Sequence, residues 1–152
     1  MRLLQPLFQL GIREDLRYRL QRPANQYACL VAIPRPRQPG GAEAGGDELP
    51  SIVGTLELAV RRPFWTSDRY IYISNVAVDS GFRRRGIAQK LLQASEAVGR
   101  SWGLSRLDLH VMTDNLPARR LYARAGYTVR KDDRSFDIFQ RSKRMLLRKD
   151  LA

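Results

Sequence analysis

Three arginines stand directly before a glycine in the stretch FRRRGIA, and this combination is the clearest sign of ligand chemistry in the chain. A strand is predicted before the stretch and an amphipathic helix after it, so Gly86 lies at the turn between them. A glycine at such a turn exposes successive backbone amides, and the helix N-terminus adds a partial positive charge. With Arg83, Arg84 and Arg85 alongside, the turn predicts a site for a phosphate-bearing ligand, a solvated charged surface being the alternative. The stretch matches neither the P-loop pattern nor the dinucleotide pattern GxGxxG.

A second group of residues lies in the stretch DNLPARRLYARAGY. Asn115 and Tyr122 are seven residues apart, which is two helical turns, so both project from one side of a short helix. Pro117 near the start and Gly126 just past the end are typical of the two ends of such a helix. Taken from the residues alone, Asn115 is a helix cap or a ligand contact, and Tyr122 is a core aromatic or a functional one.

Hydrophobic periodicity predicts the elements that must position these residues. In residues 71–78 the apolar positions change from odd to even numbers, which indicates a β-bulge. Residues 34–50 are rich in glycine and proline and are expected to form a flexible insertion within a single domain that spans residues 1–152. The expected helices cover 5–21, 84–102 and 117–125, and the expected strands 27–33, 51–60, 71–78 and 107–112, with short ones near 127–130, 136–139 and 143–147. This order predicts a mixed α/β layer fold.

Composition limits the classes of function. The chain has 152 residues, a formal net charge of +12 and a pI near 10.8, so it attracts anions such as nucleic acid, acidic proteins or a phosphorylated cofactor. Its one cysteine, Cys29, permits no internal disulfide, stands in an apolar run and is expected to be buried. No apolar run is long enough for a secretory signal or a membrane span, so a cytoplasmic location without membrane attachment is expected.

Four stretches in order resemble the GCN5-related N-acetyltransferase (GNAT) superfamily: the strand YIYISNVAV, the loop RRRGIA, the strand LDLHV and the N…ARRLYARAGY helix. The resemblance covers roughly residues 70–128 and extends to the protein N-terminal and the plastid or cyanobacterial acetyltransferases. It implies an α/β (α+β) GNAT fold, whose mixed central sheet splays between two parallel strands and has helices on both faces. Only about 26 residues precede Tyr27, so the N-terminal strand and helix are expected to be abbreviated.

The resemblance also implies acetyl-CoA as co-substrate and no metal. Amides from Arg84 to Ala88 would hold its pyrophosphate, and the pantetheine would pair with the bulged strand. Asn115 would bond the pantetheine, and Tyr122 would stand near the sulfur. The cofactor-binding residues expected on this basis are Val76, Ala77, Val78, Arg83, Arg84, Arg85, Gly86, Ile87, Ala88, Asn115 and Tyr122.

Acetyl transfer to an amine needs a neutral nucleophile, stabilisation of the oxyanion and protonation of the leaving thiolate. The Val76 amide is the candidate oxyanion donor, and Tyr122 is the candidate acid. His110 is the single histidine, and with Tyr72 it resembles a pair that holds a water as base in some protein N-terminal acetyltransferases. Weaker candidates for the base are Asp68, Asp79 and Glu57, of which Asp79 is better explained as a turn residue.

The sequence therefore predicts an acetyl-CoA-dependent N-acetyltransferase acting on a primary amine, with a protein N-terminus or lysine as the leading acceptor. A small alkylamine or arylalkylamine is the alternative acceptor, and acidic or ribosome-associated proteins are among the expected partners. A basic nucleic-acid-binding module is the alternative of another class, with the clusters Arg83–Arg85, Arg141–Lys149 and Arg61–Arg62 as phosphate contacts. The protein is expected to be a monomer or homodimer.

Overall fold

The computed structural model describes residues 21–34, 51–63, 66–133 and 144–151. Six strands and two helices make up this part of the chain, joined in one place by a 3₁₀ turn over Ser80–Phe82. The strands are β1 (Tyr27–Ala32), β2 (Gly54–Arg61), β3 (Tyr70–Val78), β4 (Arg106–Met112), β5 (Thr128–Asp133) and β6 (Arg144–Asp150). The helices are α1 (Ile87–Ser101) and α2 (Leu116–Arg124).

The six strands form one mixed sheet in the order β1-β2-β3-β4-β6-β5. β3 and β4 are parallel, and every other neighbouring pair is antiparallel. α1 makes the connection between the two parallel strands, as a parallel pair requires. The α/β fold expected from the sequence, with two parallel strands inside a mixed sheet, is confirmed.

The hydrophobic core lies between the sheet and α1. Alternate residues of the two parallel strands point toward the helix, and Ile71 and Leu107 are fully buried there. A Cβ at Gly99 of α1 would lie 3.0 Å from the Ile71 side chain, so glycine at this position lets the helix approach the sheet closely. The residues between these core positions, including Tyr72 and His110, therefore point to the opposite face.

β3 and β4 separate after a short parallel stretch. Their pairing ends at Ile73 and Leu109, although β3 continues to Val78 and β4 to Met112. The pairing of β3 with β2 slips by one residue in the same region, between the Glu57–Ser74 and Thr55–Ala77 pairs. The predicted bulge and the predicted splay between the parallel strands are thus both confirmed, and they leave a gap between the strands beside the N-terminus of α1.

Two expectations from the sequence are wrong. The first helix begins at Ile87 rather than near Arg84, because Arg84 and Gly86 have φ values of 64° and 77° and lie in the left-handed region. Cys29 is exposed rather than buried, because its alternation on β1 places it on the face away from α1. The expected helix over 5–21, the strand near 136–139 and almost all of the 34–50 insertion lie outside the described residues.

Candidate functional site

A cleft of about 860 Å³ lies between the C-terminal half of β3, the start of α1 and one side of α2. It contains ten of the eleven residues that the sequence suggested for cofactor binding: Val76, Ala77, Val78, Arg83, Arg84, Gly86, Ile87, Ala88, Asn115 and Tyr122. These residues come from three separate elements, and the splay of β3 from β4 is what lets the fold bring them together. The volume is in the range of small-molecule and cofactor sites, ~300–1,000 Å³.

The start of α1 presents backbone amides to this cleft. Gly86 is the residue before the helix, has a φ of 77° and provides no side-chain cap. The first turn of the helix contains no acidic side chain that would repel an anion. A Cβ built on Gly86 meets no atom within 4 Å, so the backbone here faces open space. Unsatisfied amides and the helix dipole together give this end of α1 the properties that favour an anion.

The three arginines before Gly86 have different positions. Arg83 lines the cleft, and its Nε donates a hydrogen bond to the Val78 carbonyl oxygen at 3.1 Å, which ties the loop to the end of β3. Arg84 also lines the cleft. Arg85 instead donates to the Gly81 carbonyl oxygen at 3.2 Å and lies 5.1 Å from the centroid of the Phe82 ring. The side chain of Arg85 therefore contacts residues of its own loop and does not line the cleft.

The short helix α2 contributes Asn115 and Tyr122 to the other wall. The Asn115 side-chain oxygen accepts a hydrogen bond from the Ala118 amide at 3.1 Å and caps the helix. Its side-chain nitrogen is a donor that such a cap does not use. Tyr122 is 7 % exposed and packs edge-on against Tyr127, with 5.9 Å between ring centroids. Burial raises the pKa of Tyr122, so its phenol keeps its proton at neutral pH.

Tyr72 and His110 meet at the point where the parallel strands separate. The Tyr72 hydroxyl lies 3.0 Å from His110 Nδ1, and the two ring centroids are 5.7 Å apart. Burial raises the pKa of Tyr72, while the positive charges of Arg61 and Arg144 lower it to a smaller extent. The phenol is therefore protonated at neutral pH, and in the tautomer that carries its proton on Nε2 the imidazole accepts the phenol's hydrogen bond at Nδ1.

The weaker candidates for a base differ in position. The Asp79 carboxylate accepts a hydrogen bond from the Gly81 amide at 2.8 Å, which agrees with its interpretation as a turn residue. The backbone amide of Asp68 bonds the Thr66 hydroxyl, and Asp68 is exposed. Glu57 is 7 % exposed on β2, where it pairs in register with Ser74. Tyr72 and His110 differ from these three carboxylates, because they are two candidates for the base whose side chains contact each other.

Two further cations on α2 line the cleft and were not predicted from the sequence. Arg120 and Arg124 are four residues apart and so lie on the same side of the helix as each other. Their i, i+4 spacing was visible in the sequence, but a polar helix face alone does not indicate which neighbour it meets. With Arg83 and Arg84 opposite, they give the cleft cations on two walls.

Within the described ranges there is no cluster of three or more histidine, cysteine or acidic side chains that could hold a metal ion. None of the helices in that same part of the chain is long and apolar enough to cross a membrane.

Residues 3–127 match the family model described as Acetyltransferase (GNAT) family. Among curated proteins, the chain is 32% identical over 127 residues to the chloroplastic GCN5-related N-acetyltransferase 10 of Arabidopsis thaliana. That alignment covers 83% of this chain and 50% of the relative, so the chain spans about half the length of that protein. It is also 32% identical over 76 residues to the uncharacterized N-acetyltransferase YycN of Bacillus subtilis, covering 50% of this chain and 47% of the relative.

Solved structures show the same fold. The structure of Arabidopsis thaliana NAA60 in complex with a bisubstrate analogue superposes with a TM-score of 0.60 and 22% identity, covering 83% of this chain and 76% of that one. A putative streptothricin acetyltransferase from Bacillus anthracis, in complex with acetyl coenzyme A, gives a TM-score of 0.67 at 14% identity. It covers 90% of this chain and 68% of that one.

Proposed function

Because the chain belongs to the acetyltransferase (GNAT) family, we propose that it transfers an acetyl group from acetyl-CoA to a primary amine, with a protein N-terminus or lysine as the leading acceptor. The observation that carries this proposal is the 3.0 Å contact between Tyr72 and His110 at the gap between β3 and β4. The contact brings Tyr72 and His110 together on the sheet face away from α1, whereas the cleft lies beside the start of α1.

The cleft suits acetyl-CoA on the evidence of its own residues. Gly86 faces open space at an uncapped helix N-terminus, where the pyrophosphate would bind. Arg83, Arg84, Arg120 and Arg124 would neutralise its phosphates. The Asn115 side-chain nitrogen would donate to a pantetheine carbonyl, with the arm alongside Val76, Ala77 and Val78. The co-substrate supplies the acetyl thioester.

The proton leaves the amine on the Tyr72–His110 side. The phenol oxygen takes a proton from the ammonium group of the acceptor, directly or through one water, as the phenol's own proton moves to His110 Nδ1. The amine nitrogen, then neutral, forms a bond to the acetyl carbon as the carbon–sulfur bond breaks. The nitrogen loses its second proton to solvent, and solvent later returns a proton to Tyr122. The Val76 amide is the proposed donor to the acetyl oxygen, and the Tyr122 hydroxyl gives its proton to the departing sulfur.

The test is to incubate the protein with acetyl-CoA and a library of peptides, with free alkylamines and arylalkylamines in parallel, and to locate new acetyl groups by mass spectrometry. Acetylated peptide N-termini or lysines would support the proposal, whereas acetylation of the small amines alone would favour the alternative acceptor class. Salt-dependent binding to mixed oligonucleotides without any acetyl transfer would favour the nucleic-acid-binding alternative. The cytoplasmic location stays a prediction, and the Arabidopsis relative carries the word chloroplastic in its name.

A further inference from the structure

The side chain of Arg61 lies directly beside the Tyr72–His110 pair. Its guanidinium carbon lies over the Tyr72 ring, 3.7 Å from the ring centroid. A guanidinium group that stacks on an aromatic ring keeps its in-plane N–H groups available as donors. Within the described part of the chain, those N–H groups make no hydrogen bond or ion pair. They are donors held beside the proposed acceptor site.

The surrounding charges make this part of the sheet face positive. The positive charges of Arg61 and Arg144 both act on the Tyr72 hydroxyl. The negative charge of Asp108, on the same face of β4, opposes them to a smaller extent, and its carboxylate accepts hydrogen bonds from Arg106 and Arg148. Two guanidinium groups already share that one carboxylate, and an acceptor at Tyr72 therefore meets a positive potential.

We propose that the acceptor is a peptide N-terminus with an aspartate or glutamate as its first or second residue, whose carboxylate binds Arg61. The inference rests on the proposed function, because it places the acceptor amine at the Tyr72–His110 pair. One residue of extended peptide advances by ~3.4 Å. A neighbouring side chain of the acceptor can thus reach the guanidinium over the Tyr72 ring. A planar carboxylate matches the paired N–H donors of arginine, whereas a lysine side chain at the same place is repelled.

The experiment compares kcat/KM for peptides that differ only in glutamate, glutamine or lysine at the second position, with free glutamate as a further acceptor. For the native chain we expect the glutamate peptide to exceed the glutamine peptide by ~3–10-fold, mainly through KM. The preference should shrink in ~0.5 M salt, because the interacting charges are partly exposed. Arg61→Gln should abolish it, and Arg61→Glu should reverse it in favour of the lysine peptide.

Arg62 offers a matched control, since it is exposed and adjacent but has no part in the site. Arg62→Gln and Arg62→Glu change the net charge equally and should keep the preference for glutamate. Equal kcat/KM for the glutamate and glutamine peptides in the native chain would overturn the proposal, as would a glutamate preference that survives in Arg61→Gln. Faster acetylation of free glutamate than of any peptide would also overturn it.

A purely structural role for Arg61 has a different signature. Loss of the contact with the Tyr72 ring would then slow all three peptides by the same factor, leave their ratios unchanged, and contradict the inference. Failure of the proposed function is distinguishable as well. In that case the protein would bind acetyl-CoA but acetylate no peptide of any charge.

Discussion

The hydrogen bond between Tyr72 and His110 joins residues that are 38 positions apart and belong to strands joined through a helix. Each side chain is only half-buried, and each points away from the α1 core, so packing does not require either of them. Their contact orients the imidazole through Nδ1, which is what a proton-accepting group needs in order to act at a fixed position. A functional role for the pair is therefore testable separately from stability.

Replacing His110 with glutamine should slow acetyl transfer at neutral pH by ~10²–10⁴-fold in kcat/KM, the usual contribution of a general base. Tyr72→Phe should act on the same step, and the double variant should lose less than the product of the two single losses, because both residues move one proton. Acetyl-CoA affinity, measured by calorimetry, should stay unchanged in all three variants. Full kcat/KM in His110→Gln would mean that the base is elsewhere.

A second prediction at this scale concerns Gly86. Gly86→Val should weaken acetyl-CoA binding about tenfold or more, because a side chain at the start of α1 comes between the amides and the pyrophosphate. Gly103 is a matched control, since it too has a positive φ and open space around its Cβ position but does not line the cleft. Both valine variants should lose stability alike, whereas only Gly86→Val should lose affinity by calorimetry. Equal affinities of the two variants for acetyl-CoA would remove the cofactor assignment from this loop.

At the scale of the elements, a buried charge lies between β4 and β6. Asp108 is 2 % exposed and pairs in register with Arg148, whose Nε donates to its carboxylate at 2.9 Å. Burial alone would raise the pKa of Asp108, but the hydrogen bonds from Arg106 and Arg148 outweigh it and hold the pKa below its ordinary value. The carboxylate is thus charged and satisfied in the folded sheet.

Asp108→Asn should lower the free energy of unfolding by about 2–4 kcal/mol at pH 7, since it leaves two guanidinium groups facing a neutral amide. A pKa that is lowered on folding contributes stability above the unfolded value of ~3.9 and loses it as pH falls through the folded value. The difference between native and variant protein in urea unfolding should therefore shrink below about pH 4.

Asp150→Asn is the matched control for this change, because the Asp150–Arg130 ion pair is exposed. Asp150→Asn should lower the free energy of unfolding by less than ~1 kcal/mol. Equal losses in the two variants would show that the Asp108 cluster is no more than a surface ion pair.

The sequence predicted the positions of the strands and helices better than it predicted the residues at which they begin and end. Alternation placed the strands, and the change of apolar positions in β3 located the bulge, because side-chain burial is recorded directly in the residue pattern. The start of α1 did not follow, because nothing in three consecutive arginines indicates that Arg84 takes a φ of 64°. The contact between Tyr72 and His110 depends on the pairing of β3 with β4, which local patterns do not specify and which the family resemblance suggested.

At the scale of the whole molecule, the net charge of +12 reflects an excess of cations, and several of these cations lie in two groups on opposite faces of the sheet. Arg83, Arg84, Arg120 and Arg124 surround the cleft on one face of the sheet. The charges of Arg61 and Arg144 act on Tyr72 on the other face. The same excess of cations that first suggested nucleic acid thus lies where a phosphorylated co-substrate and an acidic acceptor would each be bound, which is why charge alone did not separate these functions.

The insertion expected over 34–50 sets the last prediction for the whole chain. Its two ends meet in the sheet, because Ala32 pairs with Gly54 and the Val53 amide donates to the Ala32 carbonyl oxygen at 2.9 Å. Deleting residues 38–48 therefore leaves enough chain to join β1 to β2 without moving either strand. Closing a loop of about half the length costs less entropy, so the free energy of unfolding should be unchanged or higher by up to about 0.6 kcal/mol. Acetyl-CoA affinity should also be retained, since every residue of the cleft lies elsewhere.

Urea unfolding measures the free energy of unfolding of the deletion variant, and calorimetry measures its affinity for acetyl-CoA. A variant in which glycine and serine replace the same eleven residues is the control for the length of the connection. An insoluble deletion variant beside a stable glycine–serine variant would make the length of the connection the structural requirement. Loss of stability in both would show instead that the natural residues of the insertion contribute to the fold.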